Sequence, residues 1–292
     1  MELSKIEIQR AVRAALAEDV GRGDVTTLAT VPADAQSVAL LNAREELVLA
    51  GLPFAEAAFR ETAAKAGRGG IRIECLARDG QRLAAGAAVM KISGSSRALL
   101  SAERVALNFV QRLSGVATAT ARFAAAVQGT GAEILDTRKT TPGWRRFEKY
   151  AVARGGGRNH RMGLYDMVLI KDNHLVALRD AQPNAVAAAV ARARKKYPKL
   201  KIEVEADTLA QVAQEAGAGA DIILLDNMPP AQLRAAVKLV GGRAQTEASG
   251  GVNLKTVRAI AQTGVNFISV GAITHSAPAV DLGLDFEAAG GN

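Results

Sequence analysis

Residues 201–226 read KIEVEADTLAQVAQEAGAGADIILLD. Two short apolar runs, 201–205 and 221–226, flank a segment at 209–216 whose apolar residues recur at helical spacing. The spacing predicts one β-α-β step. Its strands end in Glu205 and Asp226, 21 residues apart. Neighbouring strands lie about 4.8 Å apart, so both carboxylates can reach one site. The same alternation extends outward in both directions. Further strands are expected at 133–136, 167–170, 244–248 and 266–270, with helices at 184–196, 230–240 and 254–262. Strands alternating with helices form a parallel sheet, either open and doubly wound or closed as a barrel. Each of the six strands runs into polar or glycine residues: Asp136-Thr137-Arg138-Lys139, Lys171, Glu205, Asp226, Ser249-Gly250-Gly251 and Gly271. A β/α barrel collects its active site from the C-terminal ends of all its strands, whereas an open sheet uses those at the switch point. The pattern therefore favours a barrel, with six strands instead of the usual eight. No GxGxxG follows a strand and no GxxxxGK[ST] occurs, which argues against a dinucleotide fold or a P-loop.

The first third of the chain mixes helix and strand. A helix is expected at 4–18, broken by Gly21-Arg22-Gly23-Asp24. A strand and hairpin follow at 37–49, a helix at 53–65, and strands at 71–76 and 88–93 around an Asp79-Gly80 turn. A long helical tract, 96–127, is expected to divide in two at Ser114-Gly115.

Composition narrows the function. Of 292 residues, 49% are hydrophobic and 23% charged, an ordinary soluble balance with length for one large domain or two smaller ones. No apolar run approaches the roughly 18 residues a membrane span needs, and the N-terminal stretch lacks the apolar core of a secretory signal. The single cysteine, Cys75, excludes an internal disulfide and a cysteine-based zinc site. The cytoplasm is the expected compartment. Net charge is +8, yet aromatics make up only 4%. Nucleic-acid binding would place cations along one face with aromatics to stack on bases. Here the cations gather at loops, which fits an anionic metabolite better.

They gather above all in 136–174, DTRKTTPGWRRFEKYAVARGGGRNHRMGLYDMVLIKDNH, which holds nine Lys or Arg and two of the three histidines. Arg138 and Lys139 are adjacent, so on extended backbone they face different ligands. A guanidinium grips a carboxylate or phosphate with two parallel hydrogen bonds, whereas an ammonium acts as a point charge. His160 and Arg161 follow three glycines, and Lys171 ends an apolar strand. A lysine there binds an anion or forms a Schiff base, as in barrel aldolases. Glu205 and Asp226 are hard oxygen ligands suited to Mg2+, which takes one or two carboxylates beside substrate phosphates. Glu203 points the same way as Glu205 and reads as a structural partner inside the barrel. Ser249-Gly250-Gly251 and Gly271-Ala272 follow the last two strands, where barrels often bind phosphate on backbone N–H groups. His275 could add a donor there. Arg104, with Asn108, Gln111 and Arg112, reads as a solvated helix face.

The 136–174 segment strongly resembles the signature of the quinolinate phosphoribosyltransferase family. GDVTT at 23–27, EVEADTL at 203–209, LLDNM at 224–228, EASGGVN at 247–253 and SVGAITHSAPAVDLGLDF at 269–286 are similar to the family too. Trp144 and Phe147 depart from it, standing where leucine-like residues are expected. The resemblance implies an α/β protein: an N-terminal α/β sandwich domain, 1–114 joined by 276–292, and an incomplete six-stranded α/β barrel, 115–275. It implies transfer of phosphoribosyl from phosphoribosyl pyrophosphate to quinolinate with decarboxylation, in a homodimer or higher oligomer that uses Mg2+ and binds neither nucleic acid nor membrane. Arg138, His160, Arg161 and Lys171 would bind the two quinolinate carboxylates, with Arg104 reaching in from a second subunit. Lys139, Glu205 and Asp226 would bind the donor, the last two through Mg2+ or the ribose hydroxyls. Ser249, Gly250, Gly251 and Gly271 would hold phosphate, with Thr137 and Ala272 beside them. Lys139, Lys171, Glu205 and Asp226 would be the catalytic set.

Overall fold

The computed structural model describes residues 1–66 and 70–287; the expected C-terminal segment therefore runs five residues, 288–292, beyond the described ones. The chain divides into two compact units. The first combines Met1–Ala119 and Arg146–Gly156 with the segment from Ala277 onward, and the second combines Thr120–Arg145 with Gly157–Ser276.

The first unit opens with a helix, Lys5–Val20. Ser4 caps it: its hydroxyl accepts the Glu7 N–H while the Glu7 carboxylate accepts the Ser4 N–H, a reciprocal capping box. Ile8, Val12 and Leu16 form its buried stripe. Past Gly21, Asp24 caps a short helix, Val25–Thr30, that periodicity alone does not announce. The strands are β1 (Gln36–Ala43), β2 (Leu47–Val48), β3 (Arg72–Cys75), β4 (Arg82–Leu83), β5 (Ala88–Ser95) and β12 (Leu282–Phe286). Antiparallel pairing gives one sheet of order β12-β1-β5-β3 and a small β2-β4 pair. The expected hairpin at 37–49 is thus not one: β1 pairs with β5 and β12, and β2 with β4.

The expected break at Ser114-Gly115 is also absent. One helix runs from Ser96 to Val127. Ser114 Oγ accepts the Ala50 N–H at 2.9 Å and Gly115 packs against backbone, a Cβ there lying 2.0 Å from the Pro278 carbonyl oxygen. The pair serves close packing and not a turn. The face carrying Arg112 and Gln111 is occupied as well. Gln111 Nε2 donates to the Leu282 carbonyl, and Arg112 Nη2 to the buried Glu148 carboxylate at 2.8 Å.

Glu148 belongs to a helix, Arg145–Arg154, whose residues 148–152 are buried. Its cations hold structure: Arg146 pairs with Glu7 and Arg154 with Glu2. Phe147 meets Phe54 edge-on at 5.0 Å, and Phe54 stacks on Phe109 at 4.7 Å, which gives the departure from leucine a packing role.

The second unit carries the six expected strands: β6 (Glu133–Leu135), β7 (Val168–Ile170), β8 (Ile202–Ala206), β9 (Ile222–Asp226), β10 (Gln245–Ser249) and β11 (Phe267–Ser269). All are parallel, in the order β6-β11-β10-β9-β8-β7. Consecutive strands are neighbours throughout except β6 and β7, where the ring stays open. Arg158 takes the free edge of β6: its N–H donates to the Ile134 carbonyl at 2.8 Å and its carbonyl accepts the Asp136 N–H at 3.2 Å. Helices Ala185–Lys196, Leu209–Ala218 and Pro230–Val240 connect the strands, burying Val186, Val190, Val212, Leu233 and Val240. No described helix is long and apolar enough to cross a membrane.

Candidate active site

Side chains alternate along a strand, so Glu203 and Glu205 share one face of β8 and Val204 takes the other. On β9 and β10 the matching face carries Leu224 and Asp226, and Glu247 and Ser249, in register: Glu205 opposite Leu224, Leu224 opposite Glu247, Asp226 opposite Ser249. Glu205 is partly exposed at its strand end, and its Oε2 lies 2.5 Å from Nζ of Lys171, the residue after β7. A cation and a carboxylate from adjacent strand ends thus meet directly.

The residues after β6 build the cationic side. Asp136 is fully buried and accepts from Asn159 Nδ2 at 2.7 Å and the His160 N–H at 2.9 Å. This clamps the segment that leads from Arg158 to Arg161. Arg145 fixes the other loop, donating to Thr140 Oγ1 and to the carbonyls of Arg138 and Met162. Arg161 Nη1 donates to the Met167 carbonyl at 3.3 Å. Burial and then the neighbouring Arg138 charge hold the Arg161 pKa below its ordinary value. The Arg138 Nε is buried without a hydrogen-bond partner among the described residues. Two guanidiniums that repel each other and are only partly satisfied make a strong site for a small anion.

His160 lies between these cations and the strands. Its Nδ1 accepts the Arg161 N–H at 2.8 Å. Its Nε2 lies 3.0 Å from Glu203 Oε2 and 3.5 Å from Glu247 Oε2. Both glutamates are buried. In a flat sheet, β6 and β8 would stand about 19 Å apart, four strand spacings. A ring beside β6 that touches β8 and β10 means that the sheet curls round to enclose the trio, an incompletely closed barrel.

The loops after β10 and β11 bear the glycines. Gly250 has φ +94°, and a Cβ there would lie 2.1 Å from Asn227 Oδ1. Asn227, itself at φ 53°, follows Asp226 and donates to its carboxylate. A Cβ on Gly271 would meet Lys139 Cδ at 3.2 Å and His275 Nε2 at 3.1 Å, so this loop packs on the Lys139 side chain. Thr274 Oγ1 donates to the Lys139 carbonyl at 2.7 Å, and Thr137 Oγ1 accepts the Lys139 N–H at 3.0 Å. Ala272 opens the short helix Ala272–His275. Arg104 is exposed on the Ser96–Val127 helix, in the first unit. Glu247, Asn227 and Thr274 join these residues beyond those expected from the sequence. Only the alternation in QTEAS could have signalled Glu247, as an acid on the interior face of a strand.

Family models match nearly the whole chain: the quinolinate phosphoribosyl transferase N-terminal domain at residues 24–114 and its C-terminal domain at 116–285. The chain belongs to the quinolinate phosphoribosyltransferase family. It is 43% identical over 278 residues to the nicotinate-nucleotide pyrophosphorylase (carboxylating) of Mycobacterium leprae, covering 94% of this chain and 95% of that one. It is 41% identical over 297 residues to the chloroplastic enzyme of that name from Arabidopsis thaliana, covering 96% of this chain and 83% of the plant protein. The solved nicotinate-nucleotide pyrophosphorylase of Francisella tularensis superimposes with a TM-score of 0.90 at 38% identity, each chain covered to 98%. The antiparallel sheet of the first unit and the six-stranded parallel sheet of the second are this family's fold.

Proposed function

We infer that the chain transfers phosphoribosyl from phosphoribosyl pyrophosphate to quinolinate with loss of CO2, giving nicotinate mononucleotide for de novo NAD synthesis. Family membership supports the activity. The Arg138–Arg161 pair, two mutually repelling guanidiniums at the rim of an acid-lined barrel, carries the assignment of the acceptor side.

In this reading Arg138, Arg161 and Lys171 take the two carboxylates of the diacid, with His160 behind them. Arg104 of a second copy in a homodimer completes the set. Lys139 and the Ser249–Gly251 and Gly271–Ala272 loops take the donor phosphates, with Thr137 alongside. Glu205 and Asp226, at adjacent strand ends, fit a Mg2+ ion that keeps waters and phosphate oxygens as its other ligands. When bound there, the ion would supply positive charge against the negative charge of the departing pyrophosphate. Cations lining the donor side stabilise the same charge, and the ribose C1 gains oxocarbenium character. The acceptor's ring nitrogen attacks C1, held in line by the arginines. The nitrogen becomes cationic and stabilises the carbanion left as the C2 carboxylate departs. One proton then takes its place. No step needs a covalent link to Lys171, so its role is binding.

The test is to supply quinolinate, phosphoribosyl pyrophosphate and Mg2+, omitting each in turn. Equimolar nicotinate mononucleotide, pyrophosphate and CO2 are expected. Equal turnover with nicotinate, which lacks the second carboxylate, would reject this acceptor.

A further inference from the structure

Two buried carboxylates on the strands of the second unit take no part in the mechanism. Glu203 and Glu247 have relative exposures of 0% and 1%. The two carboxyls lie close to each other and to the His160 ring, whose Nε2 is 3.0 Å from Glu203 Oε2 and 3.5 Å from Glu247 Oε2. Burying two acids together is costly unless the arrangement holds something in place.

The ligand atoms of His160, Glu203 and Glu247 lie within 4.8 Å of one another, close enough to hold a metal ion. The ring's other nitrogen argues against that use. The Arg161 N–H points at Nδ1 from 2.8 Å, so Nδ1 must offer its lone pair. In a neutral imidazole the proton then sits on Nε2, and a protonated Nε2 has no lone pair for a metal. It can donate to Glu203 and Glu247 instead. Burial lowers the ring's pKa, yet the two carboxylates outweigh it and hold it up at about 10; the Arg161 N–H on Nδ1 opposes that second proton, because an Nδ1–H could not accept it, and the geometry decides for Nε2–H alone. Both ring nitrogens are therefore committed within the protein.

We propose that Glu203 and Glu247 are positioning residues for acceptor recognition: they hold the His160 ring so that its Nδ1 anchors the Arg161 backbone and sets the Arg161 guanidinium beside Arg138. The geometry spans the site. Asp136 at the end of β6 holds the His160 N–H at 2.9 Å, and the ring reaches β8 and β10. Three strands thereby fix one loop. The proposal rests on the reading of Arg138 and Arg161 as the diacid ligands.

Two measurements test it. The first needs no activity: imidazole 15N shifts of the labelled full chain. There are only three histidines, and a His160→Gln sample assigns the resonance. The neutral Nε2–H form is expected near pH 8; an Nδ1–H or a doubly protonated ring would overturn the proposal. The second is a kinetic split. Glu247→Ala should raise the KM for quinolinate on the order of tenfold or more through misplacement of the acceptor loop, with kcat and the donor KM nearly unchanged. Glu247→Gln keeps an acceptor for Nε2–H and should recover most of the loss. Adding Glu247→Ala to His160→Phe should cost nothing further, since residues acting through one another are not additive. Multiplicative losses, or equal losses for both substrates, would overturn it. Should Glu247→Ala fail to fold, Glu247→Gln and the wild-type spectrum still decide. Tight binding of Zn2+ alone, lost in Glu247→Gln, would instead make the trio a metal site. A wild-type enzyme that ignores quinolinate would overturn the acceptor assignment while leaving the ring measurement to stand.

Discussion

Glu215 holds a carboxyl that nothing among the described residues bonds. It is fully buried in the Leu209–Ala218 helix, and both oxygens are unpartnered. Burial, then repulsion from Asp207 and Glu205, pushes its pKa up from 4.5 to about 8. The folded chain thus keeps this proton to higher pH than the unfolded chain does. Its contribution to stability is complete below about 4.5 and is lost as pH rises through about 8. Glu215→Gln removes that loss, so the variant should gain on the wild type between pH 5 and pH 9 in urea denaturation. A stability difference, variant minus wild type, that falls over this range would contradict the assignment. At the rim, Arg161→Ala should mainly weaken quinolinate binding and Asp226→Ala mainly donor binding, each read by calorimetry with one ligand at a time. Equal losses of both ligands in both variants would refute the division. Lys171, Glu205 and Asp226 were legible because each ends an apolar run, a local signal. The His160–Glu203–Glu247 trio was not, because its members are brought together only by the closing of the sheet. Glu203 could be placed on the interior face by alternation, but no local pattern named its partner.

The six strands of the second unit could be read because each is a short apolar run between helices with buried stripes. Pairing in the first unit could not, since adjacency in sequence suggested a hairpin while β1 found β5 and, from the far end of the chain, β12. Gly115 shows the limit of composition most sharply. Glycine is a poor helix former, about 1 kcal/mol worse than alanine, so a break was expected. Tertiary packing overrides that preference, because only a residue without Cβ lets the helix approach Pro278. Gly115→Ala therefore sets a propensity gain of about 1 kcal/mol against a clash with backbone, where overpacking costs about 1–3 kcal/mol or more. The clash should win. Chemical denaturation should give a net loss of stability, and a more stable variant would mean that the two segments can separate without cost.

If Arg104 acts on a second copy's site, two dead variants should rescue each other. Arg104→Ala and Asp226→Ala lesions would sit in different sites of a mixed dimer, leaving one of its two sites intact. After random subunit exchange, about one site in four should be whole, given a symmetric dimer. Activity that stays at the level of the separate variants would rule the arrangement out. The first unit also draws on three stretches of chain, with the second unit's residues 120–145 and 157–276 lying between them. Strand β12, which pairs with β1, leaves the ribosome only after all of these have been synthesised. The half that begins first is consequently the half that can be finished last. During translation its sheet must wait with the β1 edge uncovered, while the later half already has every strand it needs.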